Sequence, residues 1–185
     1  MATVDVAFAV NYSAIIRDNA CTTAYPDLPN NYGTGYISGV VGWDNVNCGT
    51  TAYGYADSQS TNEGGAYLDV RVQNMDTIRL RVATLSAGFG CQCFIKAVAF
   101  YNGRSVSAAA PAHKFDPISY PTLGDDGTLA TSQGHDDYWE INVTSQAAAQ
   151  YRIQLSLVNS DARILGGFSS YLYISAPGKS RYSIN

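Results

Sequence analysis

Ala66-Tyr67-Leu68-Asp69-Val70-Arg71-Val72-Gln73-Asn74-Met75-Asp76-Thr77-Ile78-Arg79-Leu80-Arg81-Val82-Ala83-Thr84-Leu85-Ser86 is the stretch whose reading decides the fold. Leu68, Val70 and Val72 alternate with Asp69, Arg71 and Gln73. Beyond Asn74-Met75-Asp76 the alternation resumes, with Ile78, Leu80 and Val82 against Thr77, Arg79 and Arg81. A period of two places each apolar trio on one face of a pleated strand. Asn and Asp at the break bond readily to their own backbone and tolerate turn dihedrals. The stretch therefore predicts two half-buried strands, joined either as a hairpin or as a corner between the sheets of a sandwich.

The same pattern recurs on both sides. Val4, Val6, Phe8 and Val10 form one apolar row, and the residues after Asn11 offer a helical turn or two with Ser13 as the candidate N-cap. Ile37, Val41 and Trp43 fit one strand face around Gly39, while the rest of 21–65, rich in Tyr and Gly, reads as long loops. Cys91 to Tyr101 is apolar on both faces and reads as a central strand covered on two sides. Residues 103–136 read as a long connection with a turn at Asp125-Asp126-Gly127. Trp139, Ile141 and Val143 make another row, Tyr151, Ile153, Leu155 and Leu157 the longest, and Phe168 to Ile174 a last strand before a polar tail over 176–185. Seven or eight short strands and at most a short helical turn predict an all-β fold, an antiparallel, Greek-key-like β-sandwich forming one domain over 1–185.

Composition narrows the function classes. Charged residues are 14% of the 185, while Tyr occurs 14 times, so the surface is poor in charge and rich in rings. Such a surface leans toward association or ligand contact. The net charge of −4 argues against nucleic acid, which needs bases to displace its counterions. Arg79 and Arg81 share an outward strand face and read as solvated. The N-terminal residues lack a basic region ahead of their apolar run, and no stretch reaches 18 uninterrupted apolar residues. The expectation is a cytoplasmic protein with no membrane partner.

Candidate chemistry is sparse. The four cysteines, Cys21, Cys48, Cys91 and Cys93, read as free thiols in a reducing compartment, with Cys21–Cys48 the first pairing to test in an oxidising one. Cys91-Gln-Cys93 lacks the second ligand pair that a zinc site needs and reads as two small hydrophobes facing one way. His113 and His135 both lie in the 103–136 connection, with no Gly-x-Ser-x-Gly elbow, P-loop or dinucleotide fingerprint in the chain. No cofactor and no catalytic residue is predicted. Asp125, Asp126, Asp136 and Asp137 are weak calcium candidates, provided that the two acidic pairs meet. The rings Tyr32, Tyr36, Trp43, Tyr53 and Tyr55 are read as surface contributors to binding.

Four blocks carry a family resemblance. Val4-Asp5-Val6-Ala7-Phe8-Ala9-Val10 with Ser13-Ala14-Ile15-Ile16 is the first. Asp76-Thr77-Ile78-Arg79-Leu80-Arg81 followed by Thr84-Leu85-Ser86 is the second, and Tyr138-Trp139-Glu140 the third. Tyr151 to Val158, then Gly167-Phe168 through Tyr173-Ile174, complete the set. Together they resemble the AidA/PixA family of bacterial inclusion-body proteins, whose signature in the second block reads Gly-Asp-x-Ile-Arg-Trp-Arg…Leu-Ser. Here Met75 stands at the Gly and Leu80 at the Trp, and Ser169-Ser170-Tyr171 stands where the family has Trp-Asp-Pro. The resemblance implies a cytoplasmic, often abundant protein, in some members under quorum-sensing control or found as crystalline inclusions, with no established catalytic activity. The resulting expectation is a non-enzymatic, self-associating β-sandwich whose partner is a second copy of itself. The alternative is a carbohydrate-binding module that stacks sugars on the same loop rings.

Overall fold

The alternating stretch around Met75 is a corner between two sheets, not a hairpin. The computed structural model describes residues 3–27, 36–43, 68–85, 90–145 and 147–175, the side chains of 40–43 excepted. β3 (Asp69–Arg71) belongs to one sheet and β4 (Thr77–Leu85) to the other. Between them Met75 takes a left-handed backbone with φ of 73°. Its N–H bonds to the Val143 carbonyl at 2.9 Å, and the Asp76 carboxylate accepts the Gln73 N–H at 2.8 Å. Leu68, Val70, Val72, Ile78 and Leu80 are all buried, as the period-two pattern requires.

The remaining strands are β1 (Thr3–Asn11), β2 (Ile37–Trp43), β5 (Cys91–Gly103), β6 (Ala112–Leu123), β7 (Leu129–Asn142), β8 (Ala148–Asn159) and β9 (Ile164–Ser175). The first sheet runs β2-β1-β4-β7-β6 and the second β3-β9-β8-β5. The all-β sandwich expected from the sequence is the fold observed. Not every pairing is antiparallel, because β1 pairs with β4 and β3 with β9 in parallel. Each parallel pair is separated by a long excursion of the chain, which parallel pairing demands. The core between the sheets unites Val4, Val6, Phe8 and Val10 of β1 with Tyr151, Ile153, Leu155 and Leu157 of β8 and Phe168, Leu172 and Ile174 of β9.

Three expectations are corrected. α1 (Tyr12–Arg17) is capped by Asn11, whose side chain accepts the Ala14 N–H at 3.1 Å; Ser13 already lies inside the first turn. β5 is the edge strand of its sheet, not a central one, and Phe94, Phe100 and Tyr101 stand exposed along it. The supposed connection over 103–136 holds a long hairpin, β6 with β7, closed by the Gly124–Thr128 turn. Its prolines and polar residues hide the strand period.

Residues 20–27 strap the outer face of the second sheet. Thr22 and Gly167 exchange backbone bonds at 3.0 and 2.9 Å, and the hydroxyls of Tyr25 and Ser156 meet at 2.7 Å. A Cβ on Gly167 would fall 2.3 Å from both the Leu155 carbonyl oxygen and the Tyr25 ring, so only glycine lets strap and sheet touch. Gly167→Ala is expected to lower unfolding free energy by about 2 kcal/mol or more, read by chemical denaturation. Met75→Gly is expected to raise it by about 1 kcal/mol, because relief of the left-handed backbone outweighs the added freedom of the unfolded chain. A Met75→Gly that is destabilised would mean that the corner carries no strain to relieve.

Candidate association surface

The outer face of the first sheet carries a closed polar ladder. Its members are fixed by register: β1 pairs Asp5 with Arg79 and Ala7 with Arg81, and β7 pairs Glu140 with Arg79. Arg81 donates to Asp136 at 2.9 and 2.5 Å and also to Asp5. Arg79 and Arg81 each place a guanidinium 5.0 Å from the Tyr138 ring centre, and the Tyr138 hydroxyl donates to Asp116 at 2.6 Å. These arginines are thus engaged rather than freely solvated. The Arg81 bond holds the Asp136 carboxyl below the usual carboxylate range, against a smaller opposing effect of burial.

Beyond this ladder the β6–β7 hairpin leaves the body. β7 pairs with β4 only from Asn142–Thr77 to Trp139–Leu80. From there outward the hairpin is a two-stranded ribbon running to the Leu123–Leu129 rung. Trp139 marks its root, donating its indole N–H to the Ile95 carbonyl at 3.1 Å and so tying the two sheets together. On the ribbon face continuous with Trp139, His113 stacks on that indole, and its ring nitrogen lies 2.6 Å from the Asp137 carboxylate. The His135 ring stacks on Phe115 with centres 4.3 Å apart. Phe115, Leu123 and Leu129 are 59%, 69% and 79% exposed, well beyond what a lone surface apolar residue needs explaining for. On the opposite face Tyr120 lies over Gly134, and it and Ile118 are also exposed.

The sequence-predicted residues fare unequally. Tyr36 is buried in the core, its hydroxyl donating to Asp18 at 2.7 Å, so it is not a surface ring. Trp43 ends β2, and nothing is described of its side chain. Tyr32, Tyr53 and Tyr55 lie outside the described residues, as does Cys48. The acidic pairs do not meet. Asp125 and Asp126 sit in the hairpin turn, with Asp126 accepting from Thr128, while Asp136 and Asp137 lie about 23 Å down β7 at the strand rise of ~3.3 Å per residue. Cys93 is buried and Cys91 half-buried against the core, and burial pushes the Cys93 thiol up to about 12. The exposed rings that sequence reasoning missed are those of β5 and of the ribbon, because a strand apolar on both faces reads as doubly covered.

Comparison with known proteins places the chain. The sequence model of the PixA inclusion body protein family matches residues 53–176. This chain belongs to the PixA family. A crystal structure of a PixA inclusion body protein from Burkholderia cenocepacia J2315 superposes with a TM-score of 0.59 at 16% identity, covering 94% of each chain. That likeness shows that the PixA fold is shared. No curated protein matches the sequence.

The Arg81–Asp136 pair yields a pH signature. Because the native carboxyl is depressed, its contribution is complete above the unfolded value of about 4 and is lost as pH falls through the lower native value. Wild type is expected to exceed Asp136→Asn by about 1 kcal/mol at neutral pH, a figure scaled for a half-buried pair, with the gap closing on acidification. A gap independent of pH, measured by denaturation at several pH values, would exclude the ion pair as its source.

Proposed function

We propose that this PixA-family chain is a non-enzymatic protein that works by associating with copies of itself in the cytoplasm. The observation that carries the reading is the apolar surface on the two sheet edges: Phe94, Phe100 and Tyr101 on β5, and Phe115, Ile118, Leu123 and Leu129 on the hairpin. A chain with only 14% charged residues repels other copies of itself weakly. Burial of apolar area yields about 25 cal/mol per Å² before association costs, so a contact near ~800 Å² per partner suffices for a stable dimer. The two histidines favour no catalytic reading. Their neighbours are Asp137, Trp139 and Phe115, and among the described residues no nucleophile is joined to either ring.

The test is solution mass by light scattering across a concentration series. The expected result is dimer or larger species at micromolar concentration. A mass that stays at one chain up to high concentration would overturn the reading.

A further inference from the structure

The hairpin has two strand edges, and they differ. In an antiparallel ribbon, backbone N–H and C=O groups point alternately toward the partner strand and away from it. Pro117 and Pro121 lie four apart on β6, opposite His135 and Thr131. A proline without an N–H fits where that group would face outward. His135 and Thr131, and with them Leu129, Gln133 and Asp137, then turn their own N–H and C=O groups to the other edge, toward the space left when β7 departs from β4. No described strand pairs with that edge. The outer edge of β6 is interrupted by its prolines, whereas β7 holds none from Leu129 to Asn142. Natural sheets use edge prolines to stop strand addition. Here the exposed edge is guarded and the inner one is left open.

We infer that the open edge of β7 is a strand-addition site whose occupant is the same edge of a second copy, antiparallel about a two-fold axis at Thr131. This rests on the self-association reading and names its contact. A strand paired with itself across a two-fold axis matches every donor with an acceptor. The axis is limited by the body. Further inward, the Gly124–Thr128 turn of the second copy would run into β4, which occupies the β7 edge from Trp139 to Asn142; further outward, rungs are lost. At Thr131 the two threonines face each other, and Leu129 of each copy faces the partner's Gln133. Two open ribbons then become one four-stranded sheet, which stands better than a two-stranded hairpin exposed on both faces. Phe115, Leu123 and Leu129, the most exposed apolar groups of that face, then lie on one side of the joined sheet. Neither arm offers a base to the other between residues 115 and 140, and both carry Asp125 and Asp126 at the tip. Raised salt is therefore expected to tighten the dimer, where a contact made of ion pairs would loosen.

The experiment compares full-length wild type, Thr131→Pro, Ser119→Pro and Leu129→Lys by light scattering, with circular dichroism as the check on folding. Thr131→Pro removes a donor from the open edge alone, and Ser119→Pro one from the outer edge of β6. Thr131→Pro and Leu129→Lys are expected to weaken the dimer at least tenfold, while Ser119→Pro leaves it intact. Independently, Thr131→Cys is expected to give a covalent dimer on mild oxidation, the joined peptide confirmed by mass spectrometry. Backbones at a hydrogen-bonded rung lie about 5.5 Å apart, within disulfide reach. If wild type is monomeric, the self-association reading falls and this inference with it. If wild type associates but neither Thr131→Pro nor Leu129→Lys weakens it, and position 131 does not cross-link, self-association stands and the β7 edge is wrong. Should Thr131→Pro fail to fold, Leu129→Lys and the cross-link decide.

Discussion

The left-handed backbone at Met75 is the constraint on which the remaining architecture depends. It divides one alternating stretch between two sheets, so that Leu68, Val70 and Val72 face Ile78 and Leu80 across the same core. Without that corner β3 would fold back on β4 as a hairpin, and β4 would not lie beside β1. The parallel β1–β4 pair in turn sets Arg79 and Arg81 on the outer face, where β7 meets them with Glu140, Tyr138 and Asp136. β7 is therefore anchored by its last rungs to β4 and by the Arg81–Asp136 bond. Past that anchor no described strand pairs with its inner edge.

This division of β7 into a held end and an open end links fold to function. The held end is finished chemistry, with the Trp139 indole bonded across the sandwich and the Tyr138 hydroxyl on Asp116. The open end exposes apolar side chains and a row of backbone groups that no described strand pairs. The proposal that such an end serves association draws on the family match and on the charge-poor composition. The prolines lie on β6 and not on β7, which is why the proposed contact is assigned to the β7 edge.

Much of the sandwich was legible in the sequence, and the reasons are physical. β1 and much of β4, β8 and β9 alternate buried residues with less buried ones, so their apolar rows stand out against mostly polar neighbours. β5 misleads because its exposed face keeps Phe94, Ala99 and Tyr101, a pattern that ordinarily marks double burial. β6 was invisible because Pro117, Pro121, Asp116 and Ser119 carry no apolar period; its structure comes from pairing with β7. The association surface was expected among the tyrosines of 21–65. Of the five candidates Tyr32, Tyr36, Trp43, Tyr53 and Tyr55, the one whose side chain is described, Tyr36, is buried in the core, since a ring beside a glycine-rich strand can fill a core as readily as a surface. Burial of a Tyr depends on where its hydroxyl finds a partner, here Asp18, and spacing does not reveal that.

Amide hydrogen exchange measured at low and at high protein concentration tests the central claim most directly. The Thr131 and Gln133 amides are expected to exchange quickly in dilute solution and to become protected as concentration rises, while the β8 core stays protected throughout. Thr131 and Gln133 amides whose exchange is the same at every concentration would contradict it.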